Sequence, residues 1–118
     1  MKVLCCGDRD WTSWRVIEET LQGLGPNTII VHGDARGADK MSGYVAKRLG
    51  FQVKAYPADW DKHGKAAGPI RNRLMFDSEQ PELVIAFHND LNSSKGTKDM
   101  VKYARSMGCP VNVVTEEG

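Results

Sequence analysis

The chain has 118 residues, 41% of them hydrophobic and 26% charged, with 16 Lys plus Arg against 15 Asp plus Glu. That size predicts one domain, residues 1–118, around one core. The formal net charge of +1 excludes a bulk positive field that would recruit nucleic acid, and no acidic tail is present.

The first apolar run, Val3–Cys6, reads as a strand. Met1 to Gly7 is too short for the apolar part of a signal peptide. No stretch approaches the ~18 apolar residues of a membrane span. The three cysteines, Cys5, Cys6 and Cys109, are odd in number and show no CxxC spacing. They read as reduced core residues of a cytoplasmic protein.

Trp14, Ile17, Leu21 and Leu24 recur at helical spacing, with Asp10 or Thr12 as cap and Gly25-Pro26 as stop. Thr28–Val31 is a second strand. Ala38, Met41, Val45 and Leu49 give a second helical face, closed by Gly50. Gln52–Tyr56 is a third strand. Pro57 to Gly68 is a polar loop without period, long for a compact domain. Pro69 then suits the first position of a helix, with Ile70, Leu74 and Met75 inward and Arg71 and Asn72 in its first turn.

Leu83–Phe87 is a fourth strand, followed by the loop His88 to Lys95. Gly96–Met107 is a helix with Met100, Val101, Ala104 and Met107 on one side, and Val111–Val114 is a fifth strand. Apolar strands alternating with helices predict a parallel sheet covered on both faces. The solution is a Rossmann-like, doubly wound α/β fold with expected strand order 3-2-1-4-5.

In such a sheet a ligand binds beyond the carboxyl ends of the strands, where strand order reverses. Three glycine-bearing loops should meet there, each before a helix: Gly7-Asp8-Arg9-Asp10-Trp11, Gly33-Asp34-Ala35-Arg36-Gly37-Ala38-Asp39, and His88 to Thr97. Backbone amides at such loops and helix starts suit an anion. Gly33 and Gly37 permit close backbone approach. Arg36 offers a forked donor to phosphate or carboxylate. Asp39 would hold a ribose hydroxyl or brace the loop. Trp11 would stack a base beside Arg9, or else pack on its own helix. Ser94, Gly96 and Thr97 make the same offer at the last helix, with a plain serine cap as the alternative.

Trp60, Arg71 and Asn72 come from the segment Asp59 to Asn72, where side chains at the helix start lean toward the crevice. His32, His63 and His88 fall near the same edge but match no ligand spacing, so no metal is assigned. The loops are neither a Walker A nor a GxGxxG sequence, and no cofactor is assigned.

With these segments assembled, the chain resembles a known group. GDRDW, GDARGAD, the PADW…G…AGPIRN..M stretch and S.GT are similar to the YspA-like, YpsA-related branch of the SLOG superfamily, which includes the Smf/DprA and Lonely Guy proteins. The resemblance implies a nucleotide-binding Rossmann-like fold, a nucleotide or nucleotide-derived ligand, and assembly as a homo-oligomer. Lonely Guy enzymes carry Arg-Lys-x-x-Met and Gly-Gly-x-Gly-Thr-x-x-Glu segments, whose arginine and glutamate act at a glycosidic bond. Arg71-Asn72-Arg73-Leu74-Met75 is similar to the first, and Ser94 to Met100 to the second. The glutamate position is Met100 here, and a thioether cannot do a carboxylate's work.

Three readings follow. The preferred one is a sensor or sequestering module for a nucleotide-derived ligand, ADP-ribose-like or another phosphorylated nucleoside. The second is a phosphoribohydrolase-like enzyme acting on N-glycosidic bonds, with Asp8, Asp10, Asp39 or Asp99 as the working carboxylate. The third is DprA-like nucleic-acid binding, disfavoured by the near-neutral charge. Catalytic residues are unassigned.

Overall fold

The computed structural model describes residues 1–117; Gly118, the last residue of the predicted 1–118 unit, lies outside them. Five strands, β1 (Lys2–Gly7), β2 (Ile29–His32), β3 (Gln52–Ala55), β4 (Leu83–Phe87) and β5 (Val111–Val114), form one sheet in the order β3-β2-β1-β4-β5. All four pairings are parallel. This is the predicted doubly wound α/β arrangement.

Successive side chains on a strand point to opposite faces, and here both faces are apolar. Val3, Cys5, Ile30, Ile85 and Phe87 pack against α1 (Trp14–Gln22) and α2 (Ala38–Arg48) through Val16, Ile17, Leu21, Met41 and Val45. Two further helices, α3 (Trp60–His63) and α4 (Ala67–Glu79), precede β4, and α5 (Gly96–Ser106) follows it. Leu4, Cys6, Val31, Val84 and Ala86 pack against α4 and α5 through Met75, Phe76, Met100, Val101 and Ala104. The parity of the strand therefore splits the adjacent thiols, Cys5 to one layer and Cys6 to the other. All three cysteines are free and buried.

The helix details differ from expectation in four places. Ser13, not Asp10 or Thr12, caps α1, its Oγ accepting from the Val16 amide at 3.3 Å. Val16 completes the inward face, and Trp14 is left 48% exposed, edge-on to the exposed Tyr44.

The polar stretch after β3 contains α3, capped by Asp59, and a short 3-10 turn over Gly64–Ala66. α4 begins at Ala67, so Pro69 is its third residue rather than its first. The missing proline N–H still falls among the leading amides that have no acceptor within a helix. The inward face of α4 is Ala67, Asn72, Met75, Phe76 and Glu79, while Ile70 and Leu74 are exposed. Two polar residues hold inward positions because each finds partners there, and the apolar pair is rotated out. Met107 lies beyond the last residue of α5 and is also exposed.

Candidate functional site

Strand order reverses between β1 and β4. There the loops after β1, β2 and β4 meet α4 around a crevice of about 560 Å³. Cys6, Met75 and Met100 are among its apolar lining. Nine predicted residues line it together: Gly7, Arg9, Arg36, Asp39, Arg71, Asn72, Ser94, Gly96 and Thr97. Arg71 and Asn72 are the fifth and sixth residues of α4, a turn later than expected, yet both reach the crevice.

Four predicted residues do not line it. Trp11 is 3% exposed and packs in the core, its ring 5.6 Å from that of Phe87 and its Nε1 donating to the Ser13 carbonyl. It is a core side chain, not a stacking platform. Trp60 is half exposed on α3, where the Arg9 guanidinium lies 5.9 Å from its ring centroid. Gly33 and Gly37 serve contacts within the protein. A Cβ on Gly33 would stand 2.6 Å from Arg71 Nη1 and 2.9 Å from Asp39 Oδ2. Gly37 has φ of 78°, and a Cβ there would meet the Asp8 and Arg9 carbonyls. The glycines of GDARGAD thus let the β1 and β2 loops and Arg71 interlock, and the crevice wall is what results.

Asp39 and Arg71 form the centre of that interlock. Asp39 Oδ2 accepts from the Gly33 amide at 3.0 Å, and Arg71 Nη1 donates to the Gly33 carbonyl. Burial pushes the Asp39 carboxyl up to about 6, although the Arg71 guanidinium and the amides of Ala35, Gly33 and Gly7 pull it down. Burial likewise lowers Arg71 from its ordinary value, against the opposite pull of Asp39. Burial, with Asp39 nearby, raises the Cys6 thiol far out of the reactive range.

Asn72 joins the other wall. It accepts from Arg71 Nε at 3.0 Å and donates to the Gly96 carbonyl at 3.3 Å and to Asp99 Oδ2 at 3.2 Å. Asp99 is also gripped by both terminal nitrogens of Arg73, at 2.9 and 3.0 Å. Partial burial raises its carboxyl, but the hydrogen bonds from Arg73 and Asn72 outweigh this and the net shift is downward.

The helix starts are less open than the sequence implied. The Ala38 amide donates to the Asp8 carbonyl at 3.0 Å. Ser94 Oγ accepts from the Thr97 amide at 3.0 Å, so it acts as the predicted alternative, a serine cap. What remains for an anion is mainly side-chain charge. Arg36 pairs with Asp10 at 3.2 Å, both side chains mostly exposed, and its Nε donates to the Arg9 carbonyl at 3.4 Å. Such a pair is worth about 0–1 kcal/mol, so an anionic ligand competes for Arg36 readily.

Lys95, Asp8, Asp10, His88 and Ser93 also line the crevice and were not singled out as binding residues. Lys95 lies between Ser94 and Gly96, and its position just before a helix is the signal the sequence offers. His88 and His32 each accept, through Nδ1, from the amide two residues on, at 3.0 Å. They brace turns. Among the described residues no group of three His, Cys, Asp or Glu side chains is arranged to hold a metal ion. No helix is long and apolar enough to cross a membrane.

Comparison with known proteins agrees with this architecture. The Gene 61 protein of Mycobacterium phage D29 is 34% identical over 119 residues, covering 93% of each chain. The X-ray structure of DNA processing protein A (DprA) from Streptococcus pneumoniae matches with a TM-score of 0.78 at 20% identity. The match covers 95% of this chain and 49% of that one, so this chain spans about half the length of DprA and shares its fold. The model of the YspA, cpYpsA-related SLOG family matches residues 1–63. That is more than half of the chain, from β1 through α3, and it includes the β1 loop and GDARGAD. The chain therefore belongs to the YspA, cpYpsA-related SLOG family.

Proposed function

We propose that the crevice binds a nucleotide or nucleotide-derived ligand, ADP-ribose-like or another phosphorylated nucleoside, and holds it without cleaving it. The observation that carries this reading is the convergence of Arg9, Arg36, Arg71 and Lys95 on one crevice at the strand-order reversal. Four cations lining one crevice suit phosphate oxygens.

The carboxylates around them support binding over hydrolysis. Asp39 is committed to the Gly33 amide and Asp99 to Arg73. Asp10 is paired with Arg36, and Asp8 Oδ1 accepts from the Asp10 amide. Met100, at the position where Lonely Guy enzymes carry glutamate, is 1% exposed. Assembly as a homo-oligomer, which the family resemblance implies, belongs to the same proposal and is read by sedimentation.

The test is thermal unfolding against AMP, ADP, ATP, GTP, cyclic nucleotides, ADP-ribose and NAD, with chromatography of the recovered compound. A ligand at 100 times its Kd adds about 2.7 kcal/mol, a shift of roughly 10 °C for a domain of this size. The expected result is a shift with the compound recovered intact, reduced by Arg36→Ala, whereas any binding of an unphosphorylated nucleoside such as adenosine is unchanged by that substitution. Released base would overturn the non-hydrolytic reading. No shift with any compound would overturn the binding reading.

A further inference from the structure

The cations of the crevice and its neutral polar groups lie at different depths. Arg9, Arg36 and Lys95 are exposed at the rim. His88 and Thr97 line the same crevice but are only 8% and 7% exposed. They share the floor with the apolar lining, Cys6, Met75 and Met100, which is likewise buried.

The strand sets the direction of His88. Ala86 packs in the layer of α4 and α5, and Phe87 in that of α1 and α2. The His88 amide donates to the Val114 carbonyl at 2.9 Å, so the ladder runs one residue past β4. Alternation then turns the imidazole to the α4 and α5 side, the side of Cys6, Met75 and Met100. Its Nδ1 accepts from the Asp90 amide at 3.0 Å. In the neutral ring this fixes the proton on Nε2. Neither His88 Nε2 nor Thr97 Oγ1 has a hydrogen-bond partner among the described residues. Neither atom is sealed, since among those residues only Ser42 Oγ is both shut off from solvent and unpartnered. Both therefore open on the crevice, one as a fixed donor and the other as a hydroxyl that gives or takes a hydrogen bond.

We infer that His88 and Thr97 form an uncharged subsite in the crevice floor that takes a hydroxyl of the ligand's ribose, with the phosphate left at the cationic rim. This rests on the nucleotide reading of the crevice and deepens it by naming the sugar as the part that is buried. A phosphate among Cys6, Met75 and Met100 would lose its water without meeting the exposed cations, and burying an unpaired charge is costly. The half-buried Arg71 already gives Nε to Asn72 and Nη1 to the Gly33 carbonyl. A hydroxyl loses far less water and finds a donor and an acceptor in the floor. Asp39, the carboxylate expected to hold a ribose hydroxyl, is committed to the Gly33 amide, which leaves that task to the neutral pair.

The experiment is titration calorimetry of the whole chain with AMP, 2′-deoxy-AMP, 3′-deoxy-AMP and ribose 5-phosphate. At least one deoxy compound should bind about tenfold more weakly than AMP, because a buried donor is then left unpaired. His88→Asn keeps an acceptor for the Asp90 amide and removes the donor at Nε2. It should weaken AMP and ribose 5-phosphate about tenfold and leave that deoxy compound unchanged, so the preference for AMP disappears. Thr97→Val has nearly the same shape, should weaken AMP likewise, and gives the same reading if His88→Asn lowers the Tm.

AMP and both deoxy compounds bound equally well would overturn the subsite and leave the crevice reading standing. So would a His88→Asn protein that binds AMP as wild type does. Equal loss of all three nucleotides in His88→Asn, with ribose 5-phosphate unaffected, would set the base against His88 and overturn the sugar assignment. Binding of ribose 5-phosphate lost in His88→Asn, with no binding of AMP, would keep the hydroxyl subsite and overturn the nucleotide reading.

Discussion

Gly33 and Gly37 lie four residues apart in one loop and are needed for different reasons. A methyl on Gly33 meets the end of the Arg71 side chain, at 2.6 Å from Nη1 and 2.7 Å from Cζ. A guanidinium on a flexible stem can swing away. A methyl on Gly37 meets the backbone of Asp8 and Arg9, at a residue whose φ is already 78°. Neither the carbonyls nor the left-handed backbone has anywhere to go. Gly37→Ala should therefore destabilise the protein by roughly 2–4 kcal/mol, read by urea unfolding. Gly33→Ala should cost about 1 kcal/mol or less but lower affinity for phosphorylated ligands by displacing Arg71. Equal stability losses would mean that Arg71 is fixed as firmly as the backbone. The sequence showed that this loop needed glycine at two positions. It could not show that the close neighbours would be protein rather than ligand, because Arg71 lies 38 residues from Gly33. The place of Trp11 was illegible for the same reason. Its partner Phe87 comes from β4, and nothing local to GDRDW reveals it.

At the scale of the element, α4 departs furthest from its sequence pattern. Its apolar residues do not form one stripe, and polar Asn72 and Glu79 hold buried positions instead. Glu79 ends the helix 7% exposed, with Lys2 Nζ at 3.1 Å, Lys54 Nζ at 3.2 Å and the Tyr56 hydroxyl donating to its second oxygen. One carboxylate thus ties α4 to β1, to β3 and to the residue that follows β3. The Tyr56 hydrogen bond is the main cause that pulls its carboxyl down to about 2, and the two lysines add to it. Glu79→Gln would leave two lysines beside a neutral amide. Their side chains are 32% and 38% exposed, so water replaces much of the lost attraction. The expected loss is about 1–3 kcal/mol by chemical unfolding, and a loss within error of zero would show the tie to be ornamental. Strands were legible because each buries two faces and so reads as an unbroken apolar run. α4 was not, because the partners of its buried polar residues come from β1, β3, the residue after β3 and α5.

Over the whole molecule, the strand order and the place of the crevice followed from the alternation of strands and helices alone. The charge state of the assembled fold did not, since it depends on burial. Three buried groups set opposing trends with pH. Glu79, depressed to about 2, contributes stability above its ordinary value of 4.5 that is lost as pH falls through 2. His32, lowered by burial, favours the folded state when neutral, so its contribution is lost as pH falls below 6.5. Asp39 acts the other way. Its carboxyl is raised from 3.8 to about 6, so the folded state holds the proton more tightly than the unfolded chain. That contribution is complete below about pH 4 and gone above about pH 6. Wild type alone would show only the sum. Asp39→Asn keeps an acceptor for the Gly33 amide and removes the titration, so the difference between the two proteins isolates it. Near pH 4 position 39 is neutral in both proteins, so Arg71 lacks a counter-charge in either. The stability of wild type relative to the variant should therefore be highest at pH 4, where it carries the favourable proton, and fall toward pH 7, where that advantage has vanished. Urea unfolding of both proteins at half-unit steps from pH 4 to 7 reads the trend directly. A variant that loses ground to wild type toward pH 7 would mean that attraction to the Arg71 guanidinium outweighs the burial of Asp39, and that the crevice wall is held by charge rather than by hydrogen bonds to the loop.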